Sequence, residues 1–209
     1  MHRMDRIAAP TTLTLPDYAG GSIVNLMASI AVALGAKDWP CAPLRLLDPV
    51  SLRRRSILLL VVDGLGYRYL RETHARSTLN QYVQGSMTSV FPSTTATAIT
   101  AMMSGLAPQQ HGLTGWHVYF EEIDAVGAVL PFRLRPTDER LAQFGLEPSD
   151  VFTHPSFFDR VPAQTFVVSP ASIIANPSSA PTSSSCRPRA ASTPTKPAIA
   201  WSWCRCTRA

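Results

Sequence analysis

Cysteine is nearly missing from residues 1–174, where Cys41 stands alone, while Cys186, Cys204 and Cys206 all fall in the last 35 residues. A single thiol excludes a disulfide framework for that body and fits a reducing, cytoplasmic setting. Long apolar runs are lacking too. The longest aliphatic stretch, residues 57–62, is far short of the ~18 residues that a membrane-spanning helix requires. Behind Arg3 and Arg6 no apolar segment follows, so no secretory leader is expected. Net charge is likewise absent from the body, where 14 basic and 14 acidic residues cancel. The whole excess of +5 comes from Arg187, Arg189, Lys196, Arg205 and Arg208. Five spread charges do not make a nucleic-acid surface, so specific nucleic-acid binding is not expected. What the chain does have is a hydrophobic fraction of 45 % against 16 % charged residues, enough for a folded core and against wholesale disorder.

Composition breaks at Ala175. From there to residue 209 the chain has seven Ser, seven Ala and five Pro, and no Gly, Leu, Val, Phe, Asp or Glu. Too few large apolar groups remain to offset the entropy of ordering such a segment. The chain therefore divides into a folded part, 1–174, and a Ser/Pro/Arg-rich tail, 175–209, expected to be disordered. The tail reads either as a linker or as text translated out of frame, since Trp201, Trp203, Cys204 and Cys206 crowd together as they do in misread GC-rich DNA.

The body alternates strand and helix signals. Ile23, Leu26, Met27, Ile30, Ala31 and Leu34 recur at helical spacing with Gly35 as a stop, which predicts a core-facing helix over 22–35. Residues 57–62 predict a central strand of a parallel sheet, buried on both faces. A helix over 67–83, a short strand over 87–91 and a helix over 95–104 ending at Gly105 follow. Alternation at Trp116, Val118 and Phe120 and again over 126–132 suggests a hairpin, and 164–168 a last strand. Strand–helix alternation implies an α/β sandwich.

Two places carry chemistry. Asp63 follows the strand over 57–62, and ligands in open parallel sheets collect at that carboxyl end. Alone, an Asp-Gly is more often a turn or a helix cap. The second is the run Phe91-Pro-Ser-Thr-Thr-Ala-Thr-Ala, where a proline turns the chain and hydroxyls open a helix. Free backbone N–H groups, the positive helix end and a hydroxyl meet there, which suits phosphate binding and attack on phosphorus. A hydroxyl needs activation to act as a nucleophile, for example by a metal. Alone, this run is also an ordinary Ser/Thr cap.

In combination these stretches are more specific. Leu60-Val-Val-Asp-Gly-Leu-Gly66, Val90-Phe-Pro-Ser-Thr-Thr-Ala-Thr-Ala98 and Ser104-Gly-Leu-Ala-Pro-Gln-Gln-His-Gly112 occur in the order seen in the type I phosphodiesterase / nucleotide pyrophosphatase family of the alkaline phosphatase superfamily. The body, from about Leu15 to Ile174, resembles the N-terminal half of that family. The resemblance implies a three-layer α/β/α sandwich of alkaline-phosphatase type, here truncated, and two divalent ions, usually zinc. It further implies a metal-dependent hydrolase of phosphodiester or pyrophosphate bonds acting on a small phosphodiester or nucleotide through a phosphorylated Thr. Carried onto this chain, Asp63 is a metal ligand. Thr95, ten residues before Gly105, is nucleophile and ligand, with Thr94 as the alternative. His111 matches a landmark that buttresses the fold, and His154 reads as a loop residue. The Asp-x-x-x-His and Asp-His-Gly patterns that complete the family's metal site are missing. The competing reading is therefore a truncated, inactive member holding at most a partial site.

Overall fold

The computed structural model describes residues 14–170 and, as backbone strands, two later segments, Cys186–Ala191 and Ala200–Trp203. In chain order the elements are helices α1 (Ile23–Ala33) and α2 (Pro49–Leu52), strand β1 (Leu60–Val62), and helices α3 (Tyr67–Thr73) and α4 (Thr78–Gln81). Helices α5 (Thr95–Ser104) and α6 (Pro108–His111) come next, then strands β2 (His117–Phe120), β3 (Ala125–Ala128) and β4 (Arg133–Leu134). Helix α7 (Pro148–Val151) precedes strands β5 (Thr165–Pro170), β6 (Cys186–Ala191) and β7 (Ala200–Trp203).

Helix α1 forms where the periodicity places it, and its polar members do as much as its apolar ones. Asn25 is fully buried, and its Oδ1 accepts from the Ser22 N–H (3.0 Å) and hydroxyl (2.6 Å). Its amide nitrogen donates to the carbonyls of Tyr18 (2.9 Å) and Ala42 (2.8 Å). Every polar atom of that side chain is matched, so its hydrogen bonds offset the desolvation that burial costs. Ser29 accepts from the Leu44 N–H at 2.8 Å, binding the same loop one turn further on.

The apolar stripe of α1 (Met27, Ile30, Leu34) meets that of α5 (Ile99, Met102, Met103), with Phe157, Phe158, Val161 and Val167 closing the cluster. Burying each such side chain contributes about 1.5–3 kcal/mol. Helix α5 spans the residues its sequence predicts. Gly105 ends it in the left-handed region at φ 68°, with the Trp39 ring standing where a Cβ would project. The last turn of α5 is held from a distance. Phe157 N–H donates to the Met103 carbonyl (2.6 Å), and Arg160 donates to that of Ser104 (3.2 Å) while its guanidinium lies 4.0 Å over the Trp39 ring.

The four-stranded sheet has the order β1-β7-β5-β6, with β5 and β6 parallel and the other pairs antiparallel. The central, doubly buried parallel strand expected over 57–62 is therefore corrected. Strand β1 is short, sits at the sheet edge and pairs antiparallel with β7; β7 and β5, each flanked on both sides, take the interior positions. Ile57, Leu59 and Val61 pack on the α1–α5 core, but Leu58, Leu60 and Val62 on the other face are exposed. A run of six aliphatics does not distinguish one covered face from two, which is why the pattern misled.

Two further expectations change. Over 87–91 only Thr88 bridges, to Ser22, and no strand forms. The helix over 67–83 breaks into α3 and α4 at residues 74–77, where His74 leaves helical geometry and Ser77 starts a new cap. The hairpin stands as β2–β3, extended by β4, over a second core of Leu113, Phe120, Val129, Phe132, Leu141 and Leu146.

The tail expectation meets two strands. Residues 186–191 and 200–203 pair with β5 and β1, and β6 lies at the sheet edge, where Pro188 withholds no hydrogen bond from a second neighbour. Backbone pairing of this kind needs no amphipathic side-chain pattern. The expectation of disorder over 171–185, 192–199 and 204–209, and the absence of a leader before residue 14, lie outside the described residues.

Candidate active site

Strand β1 delivers Asp63 to a turn whose geometry depends on Gly64, at φ 78°. The carboxylate caps that turn, Oδ1 accepting from the Gly64 N–H at 3.0 Å. Its other oxygen, Oδ2, accepts a hydrogen bond from the Thr95 hydroxyl at 3.0 Å. The two residues are 32 apart in sequence and lie side by side at the surface, Asp63 exposed and Thr95 half-buried.

The approach to Thr95 is fixed from several directions. Thr88 exchanges backbone bonds with Gly21 (2.8 Å) and Ile23 (3.0 Å), and its Oγ1 accepts from the Asp17 N–H at 2.9 Å. The Phe91 N–H donates to the Tyr18 hydroxyl (3.3 Å). The chain then turns through Pro92 into α5, and the adjacent threonines part company. Thr94 is the N-cap: its Oγ1 accepts from the Thr97 N–H (3.3 Å) and lies 2.8 Å from the Thr97 hydroxyl. Thr95 is the first helical residue, and its hydroxyl faces Asp63 instead. The N–H groups of Thr95 and Ala96 have no intrahelical acceptor at this end, where the helix dipole also favours negative charge. The arrangement presents a hydroxyl, a carboxylate oxygen and free N–H donors at one point.

His111 and His154 take no part in it. His111 is buried, its Nδ1 accepts from the Leu113 N–H at 3.1 Å, and its pKa falls to about 4, first through burial and then through the charge of His154. The ring is therefore neutral with its proton on Nε2. His154 donates from Nε2 to the Gln110 carbonyl (2.7 Å), tying its loop to α6, a structural contact that its position between Thr153 and Pro155 did not reveal.

Among the described residues no group of three or more His, Cys, Asp and Glu side chains could hold a metal ion. Asp63 and Thr95 supply two oxygens, whereas zinc sites take four donors, or three with an open position. The side chains described here do not fit a zinc site.

A cavity of about 800 Å³ has Gly66, Arg68, Phe91 and Ser93 in its wall, residues close in sequence to Asp63 and Thr95, though neither of those two lines it. Sequence reasoning passed over Arg68 and Phe91. The available signal was position: Arg68 lies two residues beyond the Asp-Gly-Leu-Gly turn, and Phe91 lies four residues before Thr95.

The structure thus places a helix-start hydroxyl against a strand-end carboxylate in a framework of mixed helices and strands. Comparison with known families narrows this. The model of the type I phosphodiesterase / nucleotide pyrophosphatase family matches residues 57–201, and the chain belongs to that family. The match crosses Ala175 and takes in β6 and part of β7. No curated protein and no solved structure gives a significant match. The family is hydrolytic, generally metal-dependent, and points to small phosphodiester or nucleotide substrates. No helix among the described residues is long and apolar enough to cross a membrane.

Proposed function

We propose that the protein hydrolyses small phosphodiester or pyrophosphate substrates, with Thr95 as nucleophile and Asp63 as its partner. The 3.0 Å bond from the Thr95 hydroxyl to Asp63 Oδ2 carries this reading, because it orients the hydroxyl and offers its proton an acceptor. Thr95 Oγ bonds to phosphorus, the ester oxygen departs as an alcohol bearing a proton, and the free N–H groups of the first turn face the charge on phosphorus. Water then attacks phosphorus, breaks the Thr95 ester and releases the monoester. Thr94 is the cap rather than the nucleophile, since its oxygen is already engaged with Thr97. The three-layer sandwich belongs to this proposal as well, supported by the bare face of Leu58, Leu60 and Val62, where a further layer would pack.

Turnover of bis(4-nitrophenyl) phosphate, with and without added zinc, tests the reading. It predicts activity abolished by Thr95→Ala and retained in part by Thr94→Ser. Equal turnover in the wild type and Thr95→Ala would refute it. A second reading, an inactive family member, is favoured by the missing ligand cluster. It predicts no turnover by the wild type and less than one equivalent of tightly bound zinc.

A further inference from the structure

Charge cancels over the body as a whole, yet it is split between two places. Residues 53–76 carry Arg53, Arg54, Arg55, Arg68, Arg71 and Arg76 against Asp63 and Glu72, a balance of +4. Residues 117–151 form β2–β4 and α7 over a core of their own, and carry seven carboxylates against three arginines, a balance of −4. The six arginines of the first segment are all exposed, and none is ion-paired among the described residues. Of the seven carboxylates, Asp138 alone has a cationic partner among those residues, Arg133. Exposed apolar groups fall in the same two places: Leu58, Leu60, Val62, Tyr69 and Leu79 in one, Tyr119, Val126 and Phe144 in the other. Helices α3 and α4, which carry part of the basic face, bury no residue at all.

Unpaired arginines set among exposed apolar side chains mark a surface that another molecule covers. A nucleic acid would satisfy the arginines through its phosphates and leave Leu58, Leu60 and Val62 without partners. The chain itself carries the surface that answers both, equal in charge, opposite in sign and likewise set with apolar groups. We propose that the basic face over 53–82 of one copy docks on the acidic β2–β4 lobe of a second copy. Each copy bears both surfaces, so the contact is made twice and closes a dimer. Complementary charge fixes the orientation of the two copies, and the apolar groups between the charges supply the burial that holds them together. The proposal is independent of the hydrolase reading, because no turnover enters its test.

Sedimentation velocity of the 209-residue chain over a concentration series makes the test. In about 50 mM salt the mass should rise from 22.7 kDa to twice that value, and about 0.5 M salt should weaken association roughly tenfold by screening the paired charges. The double variant Arg55→Glu, Arg76→Glu should weaken association by about tenfold or more, and so should Glu121→Lys, Glu122→Lys. Combining all four substitutions should return the affinity to within about threefold of wild type, since the two faces then match again with their signs exchanged. All four positions are exposed, and far-UV circular dichroism confirms the fold of each variant. Leu58→Ser with Leu60→Ser should weaken association while leaving its salt dependence in place. A monomer at every concentration up to about 1 mM would overturn the proposal, as would association indifferent to either charge reversal or a combined variant no better than the doubles. Monomeric protein that binds an oligothymidylate in low salt would also overturn it and give the basic face to nucleic acid.

Discussion

Replacing Thr94 and Thr95 one at a time by alanine separates a structural hydroxyl from a chemical one without any activity assay. Thr94→Ala removes the acceptor of the Thr97 N–H, an N-cap worth about 1 kcal/mol. It also takes away the partner 2.8 Å from the Thr97 hydroxyl, in a residue with no exposed surface. An unsatisfied buried hydroxyl adds about 1 kcal/mol or more. The sum, about 2 kcal/mol, lowers Tm by roughly 4–8 °C for a chain of this size. Thr95→Ala loses one surface hydrogen bond to Asp63, and the better helix propensity of alanine offsets it to within about 0.5 kcal/mol. Urea unfolding followed by far-UV circular dichroism measures both, and Thr94→Ser should recover most of the loss by keeping the cap. Should Thr95→Ala prove as destabilising as Thr94→Ala, the division of labour between the two threonines is wrong, and with it the choice of nucleophile.

Gly105→Ala should cost roughly 2–4 kcal/mol, combining the left-handed backbone with displacement of the Trp39 ring. In a Trp39→Ala background the cost should fall to about 1 kcal/mol, a coupling that a double-mutant cycle reads directly. Because His111 has a folded pKa of about 4, below its ordinary 6.5, the unfolded chain takes up a proton as pH falls through 6.5 while the folded chain resists until about 4. Stability should drop across that window by roughly 3 kcal/mol at most, and His111→Gln should flatten that part of the urea-derived profile. On β1, Val61→Asp should unfold the protein or cost at least about 3 kcal/mol, whereas Leu60→Lys should change stability by less than about 0.5 kcal/mol. Equal effects at the two positions would contradict the one-sided packing of the strand.

Helix α5 was legible to the residue because its signals are local: a hydroxyl cap, apolar positions at helical spacing, a glycine stop. Helix α1 was legible by the same kind of signal, expected over 22–35 and formed over Ile23–Ala33. The nearness of Asp63 and Thr95 was also readable, through motif order rather than through physics, since no local rule ties residues 32 apart. Strand β1 failed because sheet position is a tertiary property. Residues 57–62 have the same composition whether helices cover both faces or one, and whether the strand lies inside the sheet or on its rim. The break between α3 and α4 was hidden for a related reason: both helices lack buried residues, so no apolar stripe marked where one ended. Arg68 and Leu46 reach the same cavity through folding alone, and neither carries a motif.

The grip of the 157–160 loop on the end of α5 has a temporal consequence. The carbonyls of Met103 and Ser104 take their donors from Phe157 and Arg160, the latter 56 residues downstream. On a translating ribosome those donors arrive roughly 3–11 s after the helix itself has been made. Through that interval Ile99, Met102 and Met103 have α1 to lean on but not Phe157 and Phe158. A nascent chain halted in that window would hold a helix bearing Thr95 whose Met103 and Ser104 carbonyls still lack these donors and whose methionines are open to any chaperone that reads apolar surface.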